Sequence, residues 1–328
     1  MQLMQRITIV PRYASLAAVV LAAGLGLISC DATERRTSAP DPAAAADDRP
    51  AVVATSTLIA DWATQVGGDQ IELTGILQPG ADPHVYEPVP ADSIAFEQAD
   101  LILYNGYNLE PNLIRLLNAA GVNARQFAVG EVVPPLDLET GNSAVPDPHV
   151  WGDVSNAAPM VEAIRDQLIE LAPDQEALFT QNAAAYIDEL NQLHTWIEAQ
   201  TATIPPDQRQ LVTTHDAFQY YARAYGLTVV GTLIGLSTEE QPSARTVQEL
   251  VTSIRGLGVP AIFAETTINP QLITTVANET GVTLAPAQLY SDSIGAPGSD
   301  GDSYLRMMAA NTRAIVENLG GTVSEAEF

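Results

Sequence analysis

From Ala51 onward, short apolar runs alternate with longer stretches carrying apolar residues at helical spacing. This alternation constrains the fold more than any other feature of the chain. "AVVATST" (51–57) begins as a strand. "LIADWATQVGG" follows with Leu58, Ile59, Trp62 and Val66 on one helical face and the stop signal Gly67-Gly68. "IELTGIL" (71–77) and "DLILYNG" read as further strands, and "LEPNLIRLLNAAG" as a helix closed by Gly121. Strands separated by helices predict a parallel sheet with helices packed outside it. The alternation is interrupted once. "LDLETGNSAVPDPHVWGD" reads as a long polar loop. After it, "VSNAAPMVEAIRDQLIELAP" predicts one long helix with a stripe of Val161, Ile164, Leu168 and Leu171. A second helical stretch from Gln175 to about Gln200 carries Leu190, Leu193 and Ile197 on one face, and "TIPPDQ" breaks it. Alternation then restarts at "RQLVTT". The expected fold is α/β: two halves, 51–153 and 173–328, joined by a long helix at 154–172.

The first 50 residues are of another kind. Arg6 and Arg12 precede an apolar run from Ala14 to Ile28, the charge and hydropathy pattern of a secretory signal. The run is short and rich in small residues for a membrane span. It ends in Leu27-Ile28-Ser29-Cys30, which looks like a bacterial lipobox. Cys30 is the one cysteine of the chain, so it forms no internal disulfide, and lipidation is its expected fate. Residues 1–29 are thus expected to be a lipoprotein signal peptide. Residues 30–50, nearly devoid of large apolar side chains, are expected to be a flexible tether. An exported chain held at the outer side of the cytoplasmic membrane, or in the periplasm, is the expectation.

Forty acidic residues stand against 14 basic ones, and every basic residue is Arg. A net charge of −26 disfavours nucleic acid, whose phosphates need cations, and suits attraction of cations or plain solubility. Four histidines are present, and two share the tetrapeptide Asp-Pro-His-Val, at His84 and His149. His84 lies in the loop after the 71–77 strand, and His149 in the loop before the long helix. His215 follows "RQLVTT", and Asp292 follows "LAPAQL". In open α/β sheets ligands bind beyond the carboxyl ends of the strands, where these loops lie. Three imidazoles and a carboxylate suit a divalent transition metal. Their spacings of 65, 66 and 77 residues form no motif in themselves. Singly, a loop histidine reads as a surface residue and Asp292 as a turn residue. His194, off the apolar stripe of its helix, reads as partly exposed and structural.

The stretch "GADPHVYEPVPADSIAFEQADLILYNGYNLEP" resembles the first ligand block of the solute-binding proteins of zinc and manganese ABC transporters. "DPHVWGDVSNA" resembles the second block, although Gly-Asp-Val stands where the family more often has Leu-Asp-Pro. "LVTTHDAFQYYARAYGL" resembles the third and "LYSDSIG…GDSYLRMMAAN" the fourth. The resemblance covers residues 50–320, with all blocks in family order. It implies two α/β lobes with mainly parallel sheets, bridged by a single long rigid helix, with the metal between the lobes. Carried over position by position, it implies His84, His149, His215 and Asp292 as ligands. Glu265, at a strand end in "IFAETT", and Tyr86, Glu87, Trp151 and Asp216, beside the ligands, are candidates to orient them, because metal-bound imidazoles donate their second N–H to an acceptor.

The resemblance also implies the partner, an ABC transporter membrane permease; a monomer is expected, with no nucleic acid bound. Three nitrogens and an oxygen favour Zn2+ as the transported ligand, with Mn2+ the alternative. Family members that carry manganese usually have Glu where this chain has His215. Zinc-specific members often carry a His-rich loop, and the matching stretch, 136–146, has no histidine. Two further classes stay open: a zinc hydrolase and a metal-independent adhesin lipoprotein. A hydrolase needs an open coordination position and a nearby base, whereas Asp292 as fourth ligand closes that position, and no HExxH helix is present. No enzyme activity is expected.

Overall fold

The computed structural model describes residues 49–326 apart from 120–122 and 141–142. Cys30, the signal, Gly121 and nearly all of the expected tether lie outside the described residues. Arg49 and Pro50, read as the tether's end, already belong to the folded body. Arg49 donates to the carbonyls of Asp69 and Ile71, and the Pro50 carbonyl accepts from Glu72. Among the described residues no helix is long and apolar enough to cross a membrane.

In the N-terminal lobe, β1 (Ala51–Ala54), α1 (Thr57–Gly67), β2 (Glu72–Gly75), α2 (Pro90–Gln98), β3 (Leu101–Tyr104), α3 (Pro111–Ala119) and β4 (Arg125–Ala128) alternate as expected. The four strands form a parallel sheet in the order β2-β1-β3-β4. The 136–149 segment is more ordered than its polar sequence predicts. β5 (Asp137–Thr140) and β6 (Ser143–Pro146) pair as an antiparallel hairpin, with Thr140 opposite Ser143. Two long antiparallel-connected helices follow, α4 (Val154–Leu171) and α5 (Glu176–Thr201). The Asp153 carboxylate caps α4 by accepting from the Ser155 N–H.

The second lobe holds β7 (Gln210–Thr213), α6 (Gln219–Ala224), β8 (Thr228–Thr232), α7 (Ala244–Leu257), β9 (Ala261–Ile262), α8 (Gln271–Thr280), β10 (Thr283–Leu284) and α9 (Tyr304–Asn318). β7 pairs parallel with β8, and β9 with β10. The two pairs adjoin through a hydrogen bond from Phe263 N to Val212 O. β9 and β10 are shorter than their apolar runs predict, and regular pairing resumes only as an isolated bridge between Glu265 and Leu289.

Burial follows the strand period of two. Val52 and Ala54 of β1, Leu101 and Leu103 of β3, Leu211 of β7 and Ala261 of β9 enter one central apolar cluster. Their chain neighbours Val53 and Ile102 face a satellite cluster with Phe96 and Leu113, and Val212 and Ile262 face another with Leu250 and Ile273. Each sheet is thus covered on both faces. α5 buries Phe179, Ala183, Tyr186, Leu190, Leu193 and Ile197, a 4-3-4-3-4 spacing that keeps one seam against the body along its whole length. With α4 and α9 it completes the central cluster, which is continuous from one lobe to the other.

Candidate metal centre

The described ligand candidates all follow strand ends or open the long helix. His84 lies between β2 and α2, and His149 immediately before a 3₁₀ turn (Val150–Gly152) that leads into α4. His215 lies two residues beyond β7, and Asp292 beyond β10. They are 0–2% exposed. One ligand atom from each lies within 4.8 Å of all the others. His84 Nε2 is 3.2 Å from His149 Nε2, His215 Nε2 is 3.2 Å from Asp292 Oδ2, and His149 Nε2 is 3.4 Å from Asp292 Oδ1. Ligands 2.0–2.1 Å from one ion at tetrahedral angles stand about 3.3 Å apart, and these three separations match that spacing. His215 Nε2 and Asp292 Oδ1 are buried without a well-aligned hydrogen bond, which burial penalises unless something else completes them. A metal ion would do so, and the donor set fits one.

The two Asp-Pro-His turns explain how two of the rings are held. In each, the aspartate Oδ1 accepts the backbone N–H of the histidine two residues on: Asp82 to His84 at 2.9 Å, and Asp147 to His149 at 3.0 Å. Asp147 goes further. Its Oδ1 also lies 2.7 Å from His149 Nδ1, an acceptor that fixes the tautomer with Nε2 free for metal. Glu265 does the same for His215: one carboxylate oxygen accepts the backbone N–H at 2.8 Å and the other contacts Nδ1. Glu265 and Asp147 are fully buried. Sequence reasoning passed over Asp147, although it is the aspartate of the repeated tetrapeptide. Trp151 packs its ring edge-on to His149, centroids 5.4 Å apart, and donates Nε1–H to the Ser291 carbonyl, one residue from Asp292. Tyr86 and Asp216 turn elsewhere. The Tyr86 hydroxyl donates to Asp92, and the Asp216 carboxylate accepts from Gln219. Glu87 accepts from Asn112 rather than from a ligand. His194 is far from this cluster in role: its Nδ1 meets the Tyr225 hydroxyl at 3.0 Å.

A tight turn supports the His149 side. Gly106, Tyr107 and Asn108 are successive residues with positive φ (84°, 49° and 59°). The turn aims Asn105 so that its amide donates to the Pro148 carbonyl at 3.0 Å. Glu110 closes the turn from beneath, accepting from Asn105 N and the Thr55 hydroxyl. Burial pushes the Glu110 carboxyl up to about 7.

Electrostatics divide the candidate ligands. Burial drives the His84 imidazole down to about 3, so it is neutral and ready to donate. Burial alone would lower His215 as well, but the Glu265 and Asp292 carboxylates outweigh it and hold His215 well above the ordinary value. Burial alone would raise Asp292, but His215, then His149 and His84, hold it below the ordinary carboxylate range.

A family model described as the zinc-uptake complex component A, periplasmic, matches residues 52–318. The chain belongs to that family. The zinc-uptake component A match spans both lobes and all four candidate ligand positions. The manganese-binding lipoprotein MntA of Halalkalibacterium halodurans is 37% identical over 82% of this chain and 88% of its own length. The zinc-binding protein TroA of Treponema pallidum is 36% identical over 84% and 91%. A solved structure of the periplasmic zinc-binding protein TroA superposes with a TM-score of 0.79 at 34% identity, covering 83% of this chain and 99% of that one. Relatives of nearly equal identity are thus named for different metals.

Proposed function

We propose that this chain captures one divalent transition metal ion outside the cytoplasm and passes it to the membrane permease of an ABC transporter, with His84, His149, His215 and Asp292 as the metal ligands. The observation that carries the reading is the buried set of three imidazoles and one carboxylate, drawn from four separate loops and spaced as ligands of one ion. Its role is binding rather than catalysis: Asp292 fills the position that a hydrolase leaves to water. Zinc is the preferred cargo, because three nitrogens and an oxygen match its ligand habit. Manganese is the second reading. Asp292 turns one oxygen toward His149 and the other toward His215, an arrangement that also admits a higher, oxygen-richer coordination. Residues 1–29 are read as a cleaved signal, Cys30 as the lipidated residue, and the segment up to 50 as a leash. The lobes are assigned to 51–153 and 173–328, with 154–172 between them, and the protein as a monomer.

Metal content of the purified protein tests the proposal. One zinc per chain is expected, with tight uptake abolished in His84→Ala and Asp292→Ala. Anomalous scattering from crystals soaked in zinc or in manganese would identify the ion and count its ligands. A parent chain that retains neither metal would overturn the reading.

A further inference from the structure

The four ligands are buried, yet a cargo has to reach them, and the central core runs unbroken from one lobe to the other. A large apolar interface disfavours wide separation of lobes, so exchange calls for a local opening. Two sides of the site are sealed by hydrogen bonds between lobes. On one, Trp151 donates to Ser291 O, and the Tyr304 hydroxyl donates to Trp151 O at 2.7 Å. On another, Ser293 Oγ accepts from Gly80 N at 2.8 Å and meets Thr57 Oγ1 at 3.1 Å. The third side is different. There lies a groove of about 500 Å³, with exposed Asn269 and Gln271 at its rim and buried Thr214, the residue before His215, in its lining. The Thr214 hydroxyl is buried with no hydrogen-bond partner among the described residues. One hydrogen bond spans this groove between lobes: Thr238 Oγ1 donates to Asp82 Oδ2 at 2.6 Å.

The first Asp-Pro-His turn therefore uses its aspartate differently from the second. Asp147 spends its carboxylate on the His149 ring, whereas Asp82 reaches across the groove to Thr238. No described carboxylate makes a hydrogen bond to the His84 ring, while the rings of His149 and His215 each have one. His84 is the ligand least fixed in place, and its loop is the one tied to the groove.

We propose that this groove is the passage through which metal exchanges, and that the Thr238–Asp82 hydrogen bond is the latch holding the His84 loop closed over the bound ion. The inference rests on the metal-capture reading above. Thr238→Val removes the donor and keeps the shape, and Thr238→Ser restores it. Zinc-loaded protein is mixed with excess chelator in a stopped-flow instrument, and zinc association is followed separately with the metal-free protein. Losing one hydrogen bond should speed zinc dissociation about three- to tenfold in Thr238→Val and leave Thr238→Ser at the parent rate. Thr275→Trp, which fills the groove from an exposed position, should slow association at least about threefold. Parent-like dissociation from Thr238→Val would overturn the latch, and parent-like association in Thr275→Trp would overturn the passage. Either result leaves metal capture standing, whereas a parent chain that takes up neither zinc nor manganese overturns both readings.

Discussion

The candidate metal site is shaped by how two of its imidazoles each find a carboxylate. Asp147 on His149 and Glu265 on His215 set the tautomers that leave Nε2 free. The isosteric changes Asp147→Asn and Glu265→Gln should each lower zinc affinity about 10- to 100-fold, measured by competition with a chelator. Parent affinity in both variants would show that these carboxylates do not orient the rings. The same residues set the pH response. Without metal, His215 is held well above its ordinary value, so near neutrality it carries the proton that zinc must displace. Binding should release about one proton per zinc, and affinity should fall as pH drops from 7.5 to 5. His84, pushed down to about 3, stays neutral over that range and adds nothing to the slope. Calorimetry in buffers of different ionisation enthalpy counts the protons; a count of zero would contradict this assignment.

At the scale of elements, three of the candidate ligands lie beyond parallel strands and His149 at the approach to α4, and short turns do the aiming. The Asn105–Asn108 turn is one of these, and it rests on Glu110. Because burial raises the Glu110 carboxyl from 4.5 to about 7, the folded state binds that proton more tightly than the unfolded state. The stabilisation is complete below about pH 4.5 and is lost as pH rises to about 7. That loss is on the order of 3 kcal/mol. Glu110→Gln should flatten this part of the stability-versus-pH curve and leave the protein at least as stable as the parent above pH 7, read from denaturant melts. A slope equal to the parent's would place the titration elsewhere. Elements also show where pattern reading succeeds. β1 and β3 were legible because apolar residues run through them, and α5 because its seam repeats. The β5–β6 hairpin was missed because residues such as Asp137, Glu139 and Ser143 give no apolar run. Its one local signal was the Gly141-Asn142 pair between the strands.

At the scale of the molecule, the candidate ligands from both lobes meet over a core that is itself shared. A metal that binds only this folded arrangement stabilises it by mass action, by about 4 kcal/mol at a thousandfold excess over Kd. In a chain of this size that is a rise in melting temperature of roughly 10 °C. Scanning calorimetry with and without zinc should show it, and His84→Ala should lose most of it. A parent protein that melts at the same temperature with and without zinc would contradict a site closed by both lobes.

Local spacing determined much of this protein. Periodicity marked the strands, the long helices and the two-lobed plan. The post-strand or interdomain loop positions of His84, His149, His215 and Asp292, with the repeated Asp-Pro-His turn, marked as candidate ligands the four residues that the fold brings together. Those features act over a few residues, so the chain states them directly. Tertiary structure decided what the spacing leaves open. It placed Glu265 rather than Asp216 against His215, and it gave Asp147 to a ring while sending Asp82 to Thr238, 156 residues away. Such pairings exist only once both lobes have packed on α4, α5 and α9, because residues so distant along the chain meet through the core and not through their neighbours.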